Sequence, residues 1–90
     1  MRVTLRGKTY TLVFIPMSPA TDGRCDSPTT LKKRITIKKT LVGERRLEVL
    51  IHEMLHACYW DLDEEAIDIT ARDIARVLFR LGYRSPNDSK

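Results

Sequence analysis

The only two histidines of this 90-residue chain stand four positions apart, in the run Ile51-His52-Glu53-Met54-Leu55-His56. Residues four apart on a helix project from one face, one turn above the other. Two imidazole nitrogens so placed can converge on one ion, which suits the tetrahedral preference of Zn2+. Glu53 is turned about 100° from His52, off the metal axis but beside it. A carboxylate there can reach water at the metal without binding the ion, and so act as general base in a hydrolysis. The histidine-glutamate-x-x-histidine pattern on a helix is among the more specific short motifs. The plain alternative is a pair of half-buried histidines making ordinary hydrogen bonds.

A hydrolytic zinc site needs a third protein ligand and one open position. No third histidine exists, so the candidates are Asp61, Asp63, Glu64 and Glu65, which follow at once. A second helix is expected after them, with Ile67, Ala71, Ile74, Leu78 and Leu81 on one inward stripe and Arg72, Asp73, Arg76 and Arg80 opposite. Extrapolated back by one turn, that stripe meets residue 64. Glu65 falls on the arginine-rich side, Asp61 lies in the turn, and Asp63 is needed as the N-cap. The choice is therefore Glu64, with Asp63 next. Asp68, one turn further on, can accept the distal N–H of a ligand histidine. A surface aspartate near Arg72 is an equal reading of it.

The elements that must position these residues follow from periodicity. Leu47, Leu50, Ile51, Met54, Leu55 and Cys58 share one arc at helical spacing, which predicts an amphipathic helix over residues 44–59. The histidines lie off that arc, toward Arg45 and Tyr59, where they line a cleft. Upstream, Val3 and Leu5, then Tyr10, Leu12 and Phe14, alternate with other residues. This predicts a β-hairpin from Val3 to Ile15 turning at Gly7-Lys8 and closed by Pro16. Residues 17–33 carry loop chemistry, and a loop this long is often functional. Arg34 to Lys39 alternates again, with Ile35 and Ile37 inward and Arg34, Thr36 and Lys38 outward. The expectation is an α+β fold: a small three-stranded sheet with two helices packed on it. One domain spans residues 1–84, ended by Gly82 as helix stop, and residues 85–90 form a flexible tail.

"HEMLH" followed by a helix with Glu64-x-x-x-Asp68 resembles the zincin metallopeptidases, specifically the gluzincin type in a minimal, single-lobe form. The run "LIHEMLHACYWDLDEEAIDITARDIARVLFRLGYR" also resembles small phage and bacterial zincin-like proteins. The resemblance covers about half the chain by motif and the N-terminal strands by pattern only. It implies Zn2+ held by His52, His56 and Glu64, with Glu53 as general base and proton shuttle. Two features depart from larger gluzincins: the motif and Glu64 are close in sequence, and the second lobe is missing. SprT-like proteases are a weaker neighbour, because they use a third histidine. The oxyanion donors to consider are Tyr59, Tyr83 and Arg45. A peptide could pair with the edge of the strand Arg34–Lys39.

Composition bounds the rest. The chain is 42% hydrophobic and 31% charged, which argues against an intrinsically disordered protein. Sixteen basic residues are interleaved with 12 acidic ones, so the net charge of +4 reads first as a solvated surface and only weakly as a nucleic-acid site. Cys25 and Cys58 match no metal pattern and read as reduced thiols, with a regulatory role for Cys25 as the sharper alternative. No segment has the apolar length to span a bilayer, and the short run "YTLVFIPM" suits a strand better than a signal peptide. A cytoplasmic protein is expected. The leading function is a zinc-dependent peptidase acting on a peptide or protein. The alternative is a zinc-stabilised binding or regulatory module, for nucleic acid or a host protein, with the 17–33 loop covering a latent site.

Overall fold

The computed structural model describes residues 1–89. The fold is α+β, with a four-stranded mixed sheet and two helices. Strands β1 (Arg2–Leu5) and β2 (Lys8–Ile15) form the expected hairpin. The turn lies one residue earlier than expected, at Arg6-Gly7, with Leu5 opposite Lys8. Arg6 and Gly7 have φ of 48° and 77°, the two positive angles of a type I′ turn, whose twist matches the flanking strands.

The sheet has one strand more than expected. Within residues 17–33 the segment Gly23–Cys25 forms β3, and Arg34–Lys38 forms β4. β4 pairs parallel with β2 and antiparallel with β3, giving the order β1-β2-β4-β3. The strand Arg34–Lys39, expected at an edge, is therefore interior, and β3 is the edge. This also explains Thr36, expected outward but buried: Val13 flanks it on β2 and Arg24 on β3.

Helix α1 (Gly43–Cys58) lies between two partners. Val49 and Ala57, with Leu50 and Met54, pack on Tyr10, Leu12, Ile35 and Ile37 of the sheet. Ile51, with Leu47, Met54 and Leu55, packs on helix α2 (Glu64–Arg80). The single expected arc is thus two adjoining faces, and Val49, Glu53 and Ala57 form a buried line that the arc did not contain. On α2 the buried line is Ile67, Ala71 and Ala75, with Leu78 beside it. Ile74 and Leu81, expected inward, are 41% and 69% exposed. The small Ala71 and Ala75 form a narrow contact line four residues apart, and Ile74 falls on its flank.

The helix ends carry the expected signals. Asp63 caps α2 by accepting from Ala66 N at 3.0 Å. Gly82, with φ of 98°, ends it in a Schellman arrangement. In that arrangement Tyr83 N donates to Leu78 O at 3.1 Å, and Gly82 N donates to Phe79 O at 3.1 Å. The N-terminus of α1 has no side-chain cap from Val42. Instead Gly43 N donates to Asp88 Oδ1 at 2.6 Å, from a 3-10 turn at Pro86–Ser89. That turn falls in the segment 85–90 expected to be a tail, whose last residue lies outside the described residues. No helix among the described residues is long and apolar enough to cross a membrane.

Candidate metal centre

His52 and His56 face the first turn of α2. His52 Nε2 lies 3.1 Å from His56 Nε2 and 3.1 Å from Glu64 Oε1. His56 Nε2 lies 3.2 Å from Glu64 Oε2. The three side chains offer ligand atoms that all fall within 4.8 Å of one another. A tetrahedron with metal–ligand bonds of about 2.0–2.2 Å has edges of about 3.3–3.6 Å. The spacing of the two imidazole nitrogens is within a few tenths of an ångström of such an edge, and each nitrogen lies against a different oxygen of the Glu64 carboxylate. The donor set, two imidazoles and a carboxylate, is one that suits Zn2+.

The outer contacts orient the triangle. His52 Nδ1 lies 3.1 Å from Asp68 Oδ1. In the neutral tautomer that donates Nδ1–H to Asp68, Nε2 is left as a lone pair aimed at Glu64 and His56. The helical spacing delivers this directly, because Glu64 and Asp68 are one turn apart on α2. Asp63, the second choice as ligand, is occupied at the N-cap. Glu65 and Asp61 are exposed and outside the group.

Glu53 is brought beside the triangle but does not belong to it. It is 7% exposed, under β3, where a Cβ on Gly23 would meet Glu53 Oε2 at 3.0 Å and Val49 Cγ1 at 2.8 Å. Burial first, and the Glu64 charge second, push its carboxyl up to about 7. A carboxylate poised there both takes and returns a proton near neutral pH.

These groups open on a cleft of about 310 Å3. β3 supplies one wall through Gly23, Arg24 and Cys25, and Trp60 stands at the far end with its ring centroid 6.2 Å from that of His56. The Cys25 thiol is half-buried and donates to Asp26 O at 3.4 Å. Burial, with the Glu53 charge next, raises it to about 12, so it stays protonated. A larger cleft of about 570 Å3 lies beyond Trp60, between the hairpin residues Arg6 and Lys8 and the α1–α2 turn.

The β3 wall and Trp60 were missed by sequence reasoning. Three residues are too few for strand alternation to register. Trp60 did carry a signal, since 52, 56 and 60 continue one helical spacing past the end of α1. Of the three oxyanion candidates, Arg45 shares a small cleft with His52, Glu53 and Asp68, and the other two do not. Tyr59 stacks under Arg6, and Arg45 is held by Asp22 at 2.7 Å and Glu48 at 2.8 Å. Tyr83 follows the far end of α2. Comparison with family models, with curated proteins and with solved structures finds no match for the chain.

Proposed function

We propose that the protein is a minimal zincin-like metallopeptidase of the gluzincin type, with Zn2+ held by His52, His56 and Glu64. The observation that carries this reading is the position of Glu53. Its carboxyl, raised to about 7, borders the donor triangle on the cleft side without joining it. A site that used metal only as a staple has no need of such a group.

His52, His56 and Glu64 would hold the divalent cation, which when bound would supply Lewis-acid chemistry for a hydrolysis. The chain's own residues supply the rest. Asp68 holds His52 in the ligating tautomer. Glu53 accepts a proton from the attacking water and returns it to the leaving amine. Substrate backbone pairs with the outer edge of β3, which no strand covers among the described residues. The cleft beyond Trp60 has room for a substrate side chain.

The test is Glu53→Gln. The variant binds Zn2+ as the wild type does, by competition with a chromophoric chelator, and fails to cleave a quenched peptide library that the wild type cleaves. Equal cleavage by both proteins rejects Glu53 as the base. Equal zinc binding with no cleavage by either leaves the zinc-stabilised binding module as the better reading.

A further inference from the structure

The net charge of +4 is unevenly divided between the two layers of the fold. Residues 1–39, which carry the sheet, hold nine basic residues and two acidic ones, a balance of +7. Residues 40–90, which carry the helices, hold seven and ten, a balance of −3. Both helices are stacked on one face of the sheet, α1 against the strands and α2 on α1. The opposite face carries no helix among the described residues.

The register of the strands fixes what that open face presents. Val3, Leu12, Ile35 and Cys25 turn inward, to the core under α1. Alternation along each strand therefore sends Arg2, Thr4, Thr9, Thr11, Arg34 and Arg24 outward. Arg2, Thr11 and Arg34 lie in one row across β1, β2 and β4. The two arginines of that row stand two strand spacings apart, about 10 Å. Arg24 pairs with Thr36, two residues along β4 from Arg34. That sets it diagonally beside Arg34, at about 7–8 Å.

All three arginines are exposed, and none has a side-chain hydrogen bond or ion pair among the described residues. The two acidic residues of this layer are already engaged. Asp22 takes Lys38 at 3.1 Å and Arg45 at 2.7 Å, and Asp26 accepts from Arg34 N at 2.9 Å. Exposed Lys32, two residues before Arg34, adds a fourth cation. Like charges gathered on one sheet face repel, and a polyanion laid across them relieves that repulsion.

We propose that this face of the sheet binds a nucleic-acid duplex through its phosphate backbone, without regard to base sequence. Guanidinium forks match phosphate geometry, and the hydroxyls of Thr4, Thr9 and Thr11 between them are of the kind that contact phosphate and sugar. The aromatic side chains of the sheet, Tyr10 and Phe14, turn inward. Unpaired bases therefore find no ring to stack on, which favours a duplex over a single strand. An anionic membrane meets the same charges, but the row of Arg2, Thr11 and Arg34 offers no apolar side chain to enter lipid. The metal triangle lies between α1 and α2, on the other side of the sheet, so the inference does not rest on the proposed catalysis.

Fluorescence anisotropy of a labelled DNA duplex of about 20 base pairs, titrated with the full chain between about 50 and 200 mM salt, tests it. Three or four phosphate contacts give a log–log salt slope of about −3, so wild-type affinity is expected to fall on the order of 50-fold across that range. Arg24→Gln with Arg34→Gln is expected to weaken binding about tenfold at the lowest salt and to flatten the slope by about 2. Arg72→Gln with Arg80→Gln makes the same change in net charge on exposed positions of α2, and is expected to stay within about twofold of wild type. Circular dichroism verifies that the variants fold. Arg2→Gln, at the start of β1, is a second and milder probe of the face, with a slope flatter by about 1. Absence of salt-dependent binding, equal loss in the two double variants, or tighter binding of the single strand or of phosphatidylserine vesicles than of the duplex overturns the proposal.

Discussion

His52 Nδ1 and Asp68 Oδ1 are 3.1 Å apart, on the side of the imidazole away from His56. The contact joins the two helices through the ring that the site depends on. Asp68 is half exposed, so its worth to folding is small. Its worth to the proposed metal binding would be larger, because a contact at Nδ1 favours the tautomer that leaves Nε2 as a lone pair. Asp68→Ala is expected to weaken Zn2+ binding by about 10- to 100-fold while changing the denaturation midpoint of the metal-free protein little. Chelator competition beside urea denaturation checks both. Unchanged affinity would return Asp68 to the status of a surface residue.

Glu53 gives a pH prediction whose sign follows from its raised carboxyl. The folded group holds its proton up to about pH 7, while the unfolded group releases it near the ordinary glutamate value of 4.5. Below 4.5 both states are protonated and Glu53 costs nothing. As pH rises from 4.5 to 7 the cost of the buried charge grows, and above 7 it is complete. A shift of this size corresponds to about 3 kcal/mol as an upper figure. In the metal-free protein Glu53→Gln is therefore expected to be more stable than wild type at pH 8 by up to about 3 kcal/mol, with the gap closing toward pH 5. Urea denaturation in chelator across this range decides it. A gap that widens on acidification contradicts the assignment.

That His52, His56 and Glu64 come together was readable because it depends on one periodicity. Residues 52 and 56 on one helix and 64 and 68 on the next are each one turn apart, and the Asp63 cap sets the phase of the second. What was not readable depends on neighbours distant in sequence. β3 exists because Gly23 can lie against Val49 and Glu53, and three residues alone do not announce a strand. Thr36 looked solvated because alternation reports one strand and not what flanks it. Ile74 is more apolar than Ala75, yet Ala75 is buried, because the close approach of α1 selects for size. The hairpin turn slipped by one residue because Arg6 adopts positive φ, which favours glycine and is uncommon for arginine.

Gly23 offers a test of that packing. A Cβ there would lie 2.8 Å from Val49 Cγ1 and within 3.1 Å of two Glu53 atoms. Val49 is buried and has little freedom to move. Gly23→Ala is expected to cost about 1–3 kcal/mol by overpacking and to push β3 off α1. Under the proposed function peptide cleavage should fall with it, since the displaced wall is the one proposed to pair with substrate. A fully stable variant would mean that β3 moves freely, and the cleft with it.

The identity of the third ligand can be read from stability alone, without any activity. Zn2+ that binds only the folded chain raises its stability by about 2.7 kcal/mol at a hundredfold excess over the dissociation constant, an upward shift on the order of 10–20 °C for a domain this small. Three substitutions separate the roles. His56→Ala removes one corner of the triangle and should abolish most of the shift. Glu64→Gln should do the same while leaving the metal-free melting temperature close to wild type, because Glu64 is exposed. Asp63→Ala should act in the opposite way. Loss of its bond from Ala66 N costs about 1 kcal/mol with or without metal, so the melting temperature falls in both conditions and the zinc shift persists. If instead Asp63→Ala erased the shift and Glu64→Gln kept it, the N-cap residue would be the ligand and the first turn of α2 would have to rearrange on metal binding.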